Sequence, residues 1–202
     1  KKKFKLNYKY INNIPSKINT IEGYLFPNTY FFKKNESIET IINSMLNEFN
    51  KKIYTPYKKN ITTKHYRYNF HQLLTLASMI EKESRVISEM PRISSVFYNR
   101  LRKRMRLSSD PTVVYALGKS YKDRVYYKDL KIKSPYNTYR VGGFPPSPIA
   151  SPGQIAFTAA CNPESTTFLF FVAMKDGRHY FSNTYQEHLA FQRQMKRQKK
   201  TN

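Results

Sequence analysis

Between residues 134 and 153 the chain reads SPYNTYRVGGFPPSPIASPG, with five prolines and three glycines in twenty residues. Proline brings no amide hydrogen and fixes its own φ, and glycine weakens any helix or strand it enters, so no regular element spans this stretch. It has to be a shaped loop, one in which a cis X-Pro bond is allowed, and loops this stiff often line sites. Regular structure must be built on either side of it.

Ahead of the loop the pattern is helical. Residues 36–53 place Ile38, Ile41, Ile42, Met45, Leu46 and Phe49 at helical spacing after a cap at Asn35, with acids early and lysines late to suit the helix dipole. Residues 54–68 are polar, basic and aperiodic and read as a surface loop. A second helix is expected over about residues 70–84. A third opens at Pro91, carries Ile93, Val96, Phe97 and Leu101 on one face, and ends in the basic run NRLRKRMR. In DPTVVYALG, Asp110 as N-cap, Pro111 at the first helical position and Gly118 just past the end punctuate a short helix. Beyond the loop, Ser151 and Pro152 start a helix running through Ala160. Residues 168–183 then read as strand, Asp176-Gly177 turn and strand. Thr184 and Glu187 stand three apart, as the capping box of a last helix requires. Residues 1–19 lack a period and read as a basic connector, and residues 20–202 as one domain ending in a basic tail, 190–202, that frays. The class is α+β: a helix-rich mixed domain with a small β-hairpin and a proline-rich, groove-lining loop.

A chain of 202 residues, 40% hydrophobic, can bury one sizeable core. Its 36 Lys and Arg against 13 Asp and Glu give +23, a charge that ordinarily points to a polyanionic partner. The excess is spread along the whole chain, however, and travels with many Asn, Ile, Tyr and Phe and only 6 Gly, as A/T-rich codons would produce. Genome composition is expected to explain roughly half or more of it, because charge alone speaks to association and solubility rather than function. The single cysteine, Cys161, excludes an internal disulfide and leaves the compartment open. No apolar run approaches the roughly 18 to 20 residues of a membrane span. The sequence begins at Lys1 rather than Met and reads as a fragment or processed product, so a signal or anchor could precede it.

The candidate chemistry narrows quickly. His65, His71, His179 and His188 are dispersed and no zinc-type Cys/His spacing occurs, so no metal site is expected and each histidine reads as surface or packing. There is no phosphate-cradling glycine loop and no nucleophile elbow. General acids are left, and Glu81, Glu83 and Asp110 lie where the motif-like sequence is densest. On a helical wheel the apolar face of residues 73–80 centres near Leu73, and Glu81 and Glu83 fall on opposite flanks, each about 80° away. Periodicity does not choose between them. A carboxyl on such a flank loses hydration of its anion, and its pKa rises toward the range where it donates a proton near neutral pH. The ordinary explanation, a solvated helix end beside Lys82 and Arg85, has the stronger claim from spacing alone. Asp110 is explained by helix capping in the same way. Tyr136, Asn137 and Tyr139 offer what a sugar-binding groove needs, flat faces for pyranose rings and an amide for hydroxyls, although tyrosine is abundant throughout.

Taken together and in order, the strings IEGYLFPNTY (21–30), ASMIEKES (77–84), SVFYNRLRKRMRLSSDPTVVYALG (95–118), SPYNTY (134–139), GFPPSPIASPG (143–153) and NPESTTFLFFVA (162–173) resemble the catalytic domain of the endolytic murein transglycosylase family, called MltG or YceG-like. The resemblance covers roughly residues 21–188. It departs from the family pattern at Asn28, Phe144 and Ser147 and in the basic stretch 51–68. It implies a periplasm-facing enzyme, tethered to the inner membrane by a single N-terminal helix, that cuts nascent peptidoglycan strands internally to leave 1,6-anhydro-muramic ends. Cell-wall synthases would be its partners, and it would need no cofactor. It also implies that the catalytic acid is the second glutamate of the Glu-x-Glu pair, Glu83, with Ser84 behind it. Glu81, Asn99, Asp110, Asn137 and Tyr139 match motif positions and would shape or line the groove. Three other readings stay open. A hydrolase on the same polymer would use Asp110 to position water, an inactive scaffold would bind cell-wall partners, and a basic nucleic-acid-binding protein would use NRLRKRMR and RQMKRQKK without a recognisable reader motif.

Overall fold

The computed structural model describes residues 8–18, 20–60, 67–118 and 125–198. Among the described residues seven α-helices and one hairpin make an α+β domain: α1 (Ile38–Phe49), α2 (Thr55–Asn60), α3 (Phe70–Glu83), α4 (Met90–Arg102), α5 (Asp110–Leu117), α6 (Gln154–Cys161), β1 (Phe170–Ala173), β2 (His179–Ser182) and α7 (Tyr185–Gln198). The strands pair antiparallel, with Phe171 opposite Phe181.

Helix α3 is the hub. Asn69 caps it in a box with Gln72, and every residue from Leu73 to Ile80 is buried, so it is wrapped on all sides by α4, α5 and α6. One side of it holds the proline-rich loop. His71 Nε2 donates to the Pro146 carbonyl (2.9 Å), the Ile149 amide donates to Ser78 Oγ (3.0 Å), and the Gly153 amide donates to Glu81 Oε2 (3.2 Å). These three helix positions fall within about 80° of one another on the wheel. Because Pro146 offers only an acceptor, His71 Nδ1 is left to accept from the Tyr24 hydroxyl at 2.8 Å. All peptide bonds of the loop are trans.

Aromatic side chains fill the space between α1, α3 and the N-terminal segment. Tyr10 is buried against Phe49 at 5.1 Å between centroids and donates to the Leu46 carbonyl at 2.7 Å, and Tyr24 packs on Phe49 at 5.4 Å.

Local expectations fail in instructive places. The cap of α1 is Ser37, whose Oγ accepts from the Thr40 amide at 3.0 Å, while Asn35 turns the chain with φ +88°. The expected loop from residue 54 begins as helix: a π turn, Asn50–Tyr54, leads into α2, and residues 61–66 lie outside the described residues. Tyr54 and Tyr57 look polar in sequence but pack on Phe70 with ring centroids 5.1 and 4.9 Å away, the first in an edge-to-face arrangement and the second tilted. Pro56, without an amide hydrogen, follows the widened turn, where the missing bond costs least. The N-cap position of α5 is Ser109, not Asp110, and its side chain makes no capping bond; the helix ends at Gly118 in the left-handed conformation (φ +64°), as the sequence suggests. Helix α6 starts after Gly153 rather than at Ser151. The capping box of α7 forms: Thr184 Oγ1 accepts from the Glu187 amide, and Glu187 Oε2 accepts from the Thr184 amide, both at 3.2 Å. The helix continues through Gln198 instead of fraying at residue 190.

Gly23 shows how tightly the loop is held. Its φ is +88°, and an added Cβ would sit 2.4 Å from Pro148 Cβ. Gly23→Ala should therefore cost about 3 kcal/mol in denaturant unfolding, strain plus overpacking, whereas Gly177→Ala, at φ +84° with open space around it, should cost about 1 kcal/mol.

Candidate active site

Glu81 and Glu83 lie about 160° apart around α3. Glu81 faces the proline loop and holds Gly153. Glu83, the last helical residue, faces a cleft of about 660 Å³. Ser84 ends the helix: its hydroxyl donates to the Val86 carbonyl at 2.8 Å and turns the chain away, leaving Glu83 at the rim. The C-terminal end of a helix also disfavours a carboxylate.

Arg100, from α4, shares the cleft with Glu83. Asp110 and Val114 of α5, Tyr139 from the loop, and Phe170, Tyr185 and His188 from β1 and α7 also line it. Ser109 Oγ donates to Glu83 Oε1 at 2.5 Å. Ser109 is itself clamped. Its amide donates to Thr138 Oγ1 at 3.0 Å, its carbonyl accepts from the Thr112 hydroxyl at 2.7 Å, and Ser108 beside it is held in the left-handed region at φ +50°. Arg100 is fixed by two backbone carbonyls, of Leu169 and Leu107, each at 2.6 Å, with its guanidinium over the Phe170 ring. The Tyr139 hydroxyl donates to Asp110 Oδ1 at 2.5 Å, and burial together with the Asp110 charge keeps the phenol protonated.

These neighbours set the character of Glu83. Burial pushes its pKa from the ordinary 4.5 up to about 7. The Ser109 hydrogen bond pulls it down, the Asp110 charge pushes it up, and Arg100 pulls it down. A carboxyl balanced there is present in both forms near neutral pH, so it is able to give a proton and to take one.

The other candidates are placed differently. Asn99 is buried, its amide donating to the Thr166 and Phe168 carbonyls, both at 2.9 Å, so it fixes the approach to β1 and does not line the cleft. Asn137 is fully buried. Its amide donates to the Leu130 and Ile132 carbonyls, so the sugar-bonding amide expected there is not offered to the cleft. Tyr136 also turns away, packing on Tyr115 with its hydroxyl 2.6 Å from Ser147 Oγ. Of the three groove candidates in SPYNTY, Tyr139 alone lines the cleft. Sequence reasoning missed Ser109 and Arg100. Arg100 stands three residues after Phe97 and seven after Ile93, on the apolar face of α4, and a cation on such a face is a readable signal. Among the described residues no group of three or more His, Cys, Asp or Glu side chains gathers to hold a metal ion.

Two substitutions should move the Glu83 midpoint in opposite directions, as read by a pH titration of its carboxyl. Ser109→Ala removes a bond to the anion and should raise it, and Asp110→Asn removes a repelling charge and should lower it. Stability should follow the same equilibrium. Because the folded pKa lies above the unfolded one, Glu83 destabilises the fold progressively as pH rises from about 4.5 through about 7. The Tm advantage of Glu83→Gln should therefore be small at pH 4 and reach a plateau above pH 7, as thermal melts across pH would show.

Known proteins share this architecture. The endolytic murein transglycosylase of Bacillus subtilis (strain 168) is 47% identical over 169 residues, covering 83% of this chain and 46% of that protein. The endolytic murein transglycosylase of Streptococcus pneumoniae serotype 2 (strain D39) is 37% identical over 173 residues, covering 83% and 31%. A crystal structure of a YceG-like protein from Listeria monocytogenes superposes with a TM-score of 0.78 at 43% identity, covering 88% of this chain and 57% of that one. The chain thus spans less than half the length of the curated relatives it matches. The YceG-like family model matches residues 2–194, nearly the whole sequence, and the chain belongs to that family.

Proposed function

We propose that this domain is a lytic transglycosylase acting inside peptidoglycan glycan strands, with Glu83 as its single acid and base. The observation that carries the reading is the Glu83 carboxyl itself, raised to about 7 in a cleft walled by aromatic rings. The names of the relatives, endolytic murein transglycosylases, supply the polymer.

Protonated Glu83 gives its proton to the oxygen linking N-acetylmuramic acid to N-acetylglucosamine. The bond from that oxygen to the muramic anomeric carbon breaks, and positive charge develops on the ring. Glu83, now a carboxylate, is stabilised by the Ser109 hydroxyl and the nearby Arg100 cation. It then takes the proton from the muramoyl 6-hydroxyl as that oxygen bonds to the anomeric carbon, which closes the 1,6-anhydro ring and restores the acid. No water is consumed. A second carboxylate is unnecessary because the attacking hydroxyl belongs to the same sugar and is already close. The Tyr139-Asp110 pair in the same cleft favours one rival, hydrolysis with Asp110 orienting a water.

On the same resemblance we place the whole protein at the inner membrane, single-pass, with this domain on the periplasmic side beside the cell-wall synthases. Cleavage of nascent strands there would end their elongation. Among the described residues no helix is long and apolar enough to cross a membrane.

Digestion of uncrosslinked glycan strands, with mass spectrometry of the new ends, tests the reading. The protein should leave 1,6-anhydro-muramic ends, and Glu83→Gln should leave none while keeping its fold. Reducing muramic ends would establish the hydrolase instead. Glu81→Gln keeps an acceptor for the Gly153 amide and should retain activity within about threefold; a loss equal to that of Glu83→Gln would contradict the division of labour between the two glutamates.

A further inference from the structure

The β1 and α7 part of the cleft lining holds a run of flat groups. The Arg100 guanidinium carbon lies 5.2 Å from the Phe170 centroid, and Phe170 lies 5.6 Å from His188 and 5.7 Å from Tyr185. Tyr185 stacks on His188 at 21°. The run begins at the cation that shares the cleft with Glu83 and ends at Tyr185, which is 59% exposed. Burial and the Arg100 charge hold His188 below its usual pKa, so at neutral pH it adds an uncharged ring.

Helix α7 has no buried residue and rests on the hairpin through the Tyr180-Phe191 stack, centroids 3.9 Å apart at 10°, as well as through the contacts of Tyr185 and His188 with Phe170. The Thr184-Glu187 capping box fixes its first turn, which presents Tyr185 and His188 three residues apart on one side. The Tyr185 hydroxyl has no hydrogen-bond partner among the described residues. A large ring supported by His188 and Phe170 and otherwise open to a cleft is a surface for another flat, partly apolar body. Pyranose rings, with apolar C–H faces and polar edges, are such bodies, and Gln192, one turn beyond His188, lines the same cleft with its Nε2 3.0 Å from His188 Nε2, which leaves its amide oxygen as an acceptor.

We propose that Tyr185, backed by His188 and Phe170, is a stacking platform for a pyranose ring of the glycan strand next to the sugar whose bond Glu83 breaks. This rests on the reading of Glu83 as the acid on glycan. The platform would set affinity and the register of the strand, while the chemistry stays with Glu83. Tyr185 is thus a binding residue contributed by the last helix.

The test uses the whole chain and uncrosslinked glycan strands stripped of stem peptide. Tyr185→Ala should raise KM about tenfold and change kcat less than twofold, with Tm nearly unchanged. Tyr185→Phe, which keeps the ring, should recover most of the affinity that Tyr185→Ala loses. In the Glu83→Gln background, Tyr185→Ala should weaken equilibrium binding of the same strands by the same factor. Unchanged KM and unchanged binding in Tyr185→Ala would overturn the platform, as would a Tyr185→Phe variant as weak as Tyr185→Ala. The two readings fail separately. Strands bound in a Tyr185-dependent way but not cleaved by the unsubstituted protein would remove the proposed reaction and keep the platform, whereas cleavage indifferent to Tyr185 would do the reverse.

Discussion

The burial of α3 on every side is the constraint on which the rest depends. A helix with Leu73 through Ile80 fully enclosed leaves no room for charge until its last turn, so its carboxylates appear where the core ends. The same enclosure makes α3 a rigid post. One side pins the proline-rich loop through His71, Ser78 and Glu81, and the opposite side delivers Glu83 to a cleft whose walls come from α5, the loop, β1 and α7. A loop with five prolines in twenty residues loses little entropy on being fixed, which suits it to setting Tyr139 beside Asp110.

Around Glu83 the electrostatics are a balance of opposed effects. Burial and Asp110 favour the neutral acid, and Ser109 and Arg100 favour the carboxylate. Each is held by its own partners: Ser109 by Thr138 and Thr112, Arg100 by two backbone carbonyls, and Asp110 by Tyr139. Donors fixed in advance stabilise charge without reorganising when it forms, which is the main electrostatic advantage an enclosed site has over water. A carboxyl kept partly protonated at neutral pH destabilises the fold when it ionises, and function at such a site comes at some expense of stability.

Much of the fold was legible in the sequence. Punctuation such as Pro111, Gly118, Asp176-Gly177 and the Thr184/Glu187 pair located elements because each acts through local backbone geometry. The π turn and α2 were not legible, because Tyr54 and Tyr57 count as polar until Phe70 is known to lie beneath them. For the site, a wheel could not separate Glu81 from Glu83, since it presumes one apolar face and α3 has none. The resemblance points to Glu83, and the structure gives each glutamate a different side of α3. Asn137 looked like a groove residue because an amide suits sugar hydroxyls, and Asn99 because it matches a motif position of the family, yet both serve backbone carbonyls. Ser109 was hidden by the Asp-Pro that follows it, which attracts the capping assignment to itself.

The claim on which the account turns is that the Glu83 carboxyl titrates near neutrality because the fold takes it out of water. Carbon-13 NMR of the protein labelled at glutamate side-chain carboxyls, with the Glu83 resonance assigned by its loss in Glu83→Gln, measures this directly. The account predicts a midpoint of about 7. A midpoint near 4.5, the value of a solvated glutamate, would mean that Glu83 is an ordinary helix-end carboxylate and would contradict the account at its centre.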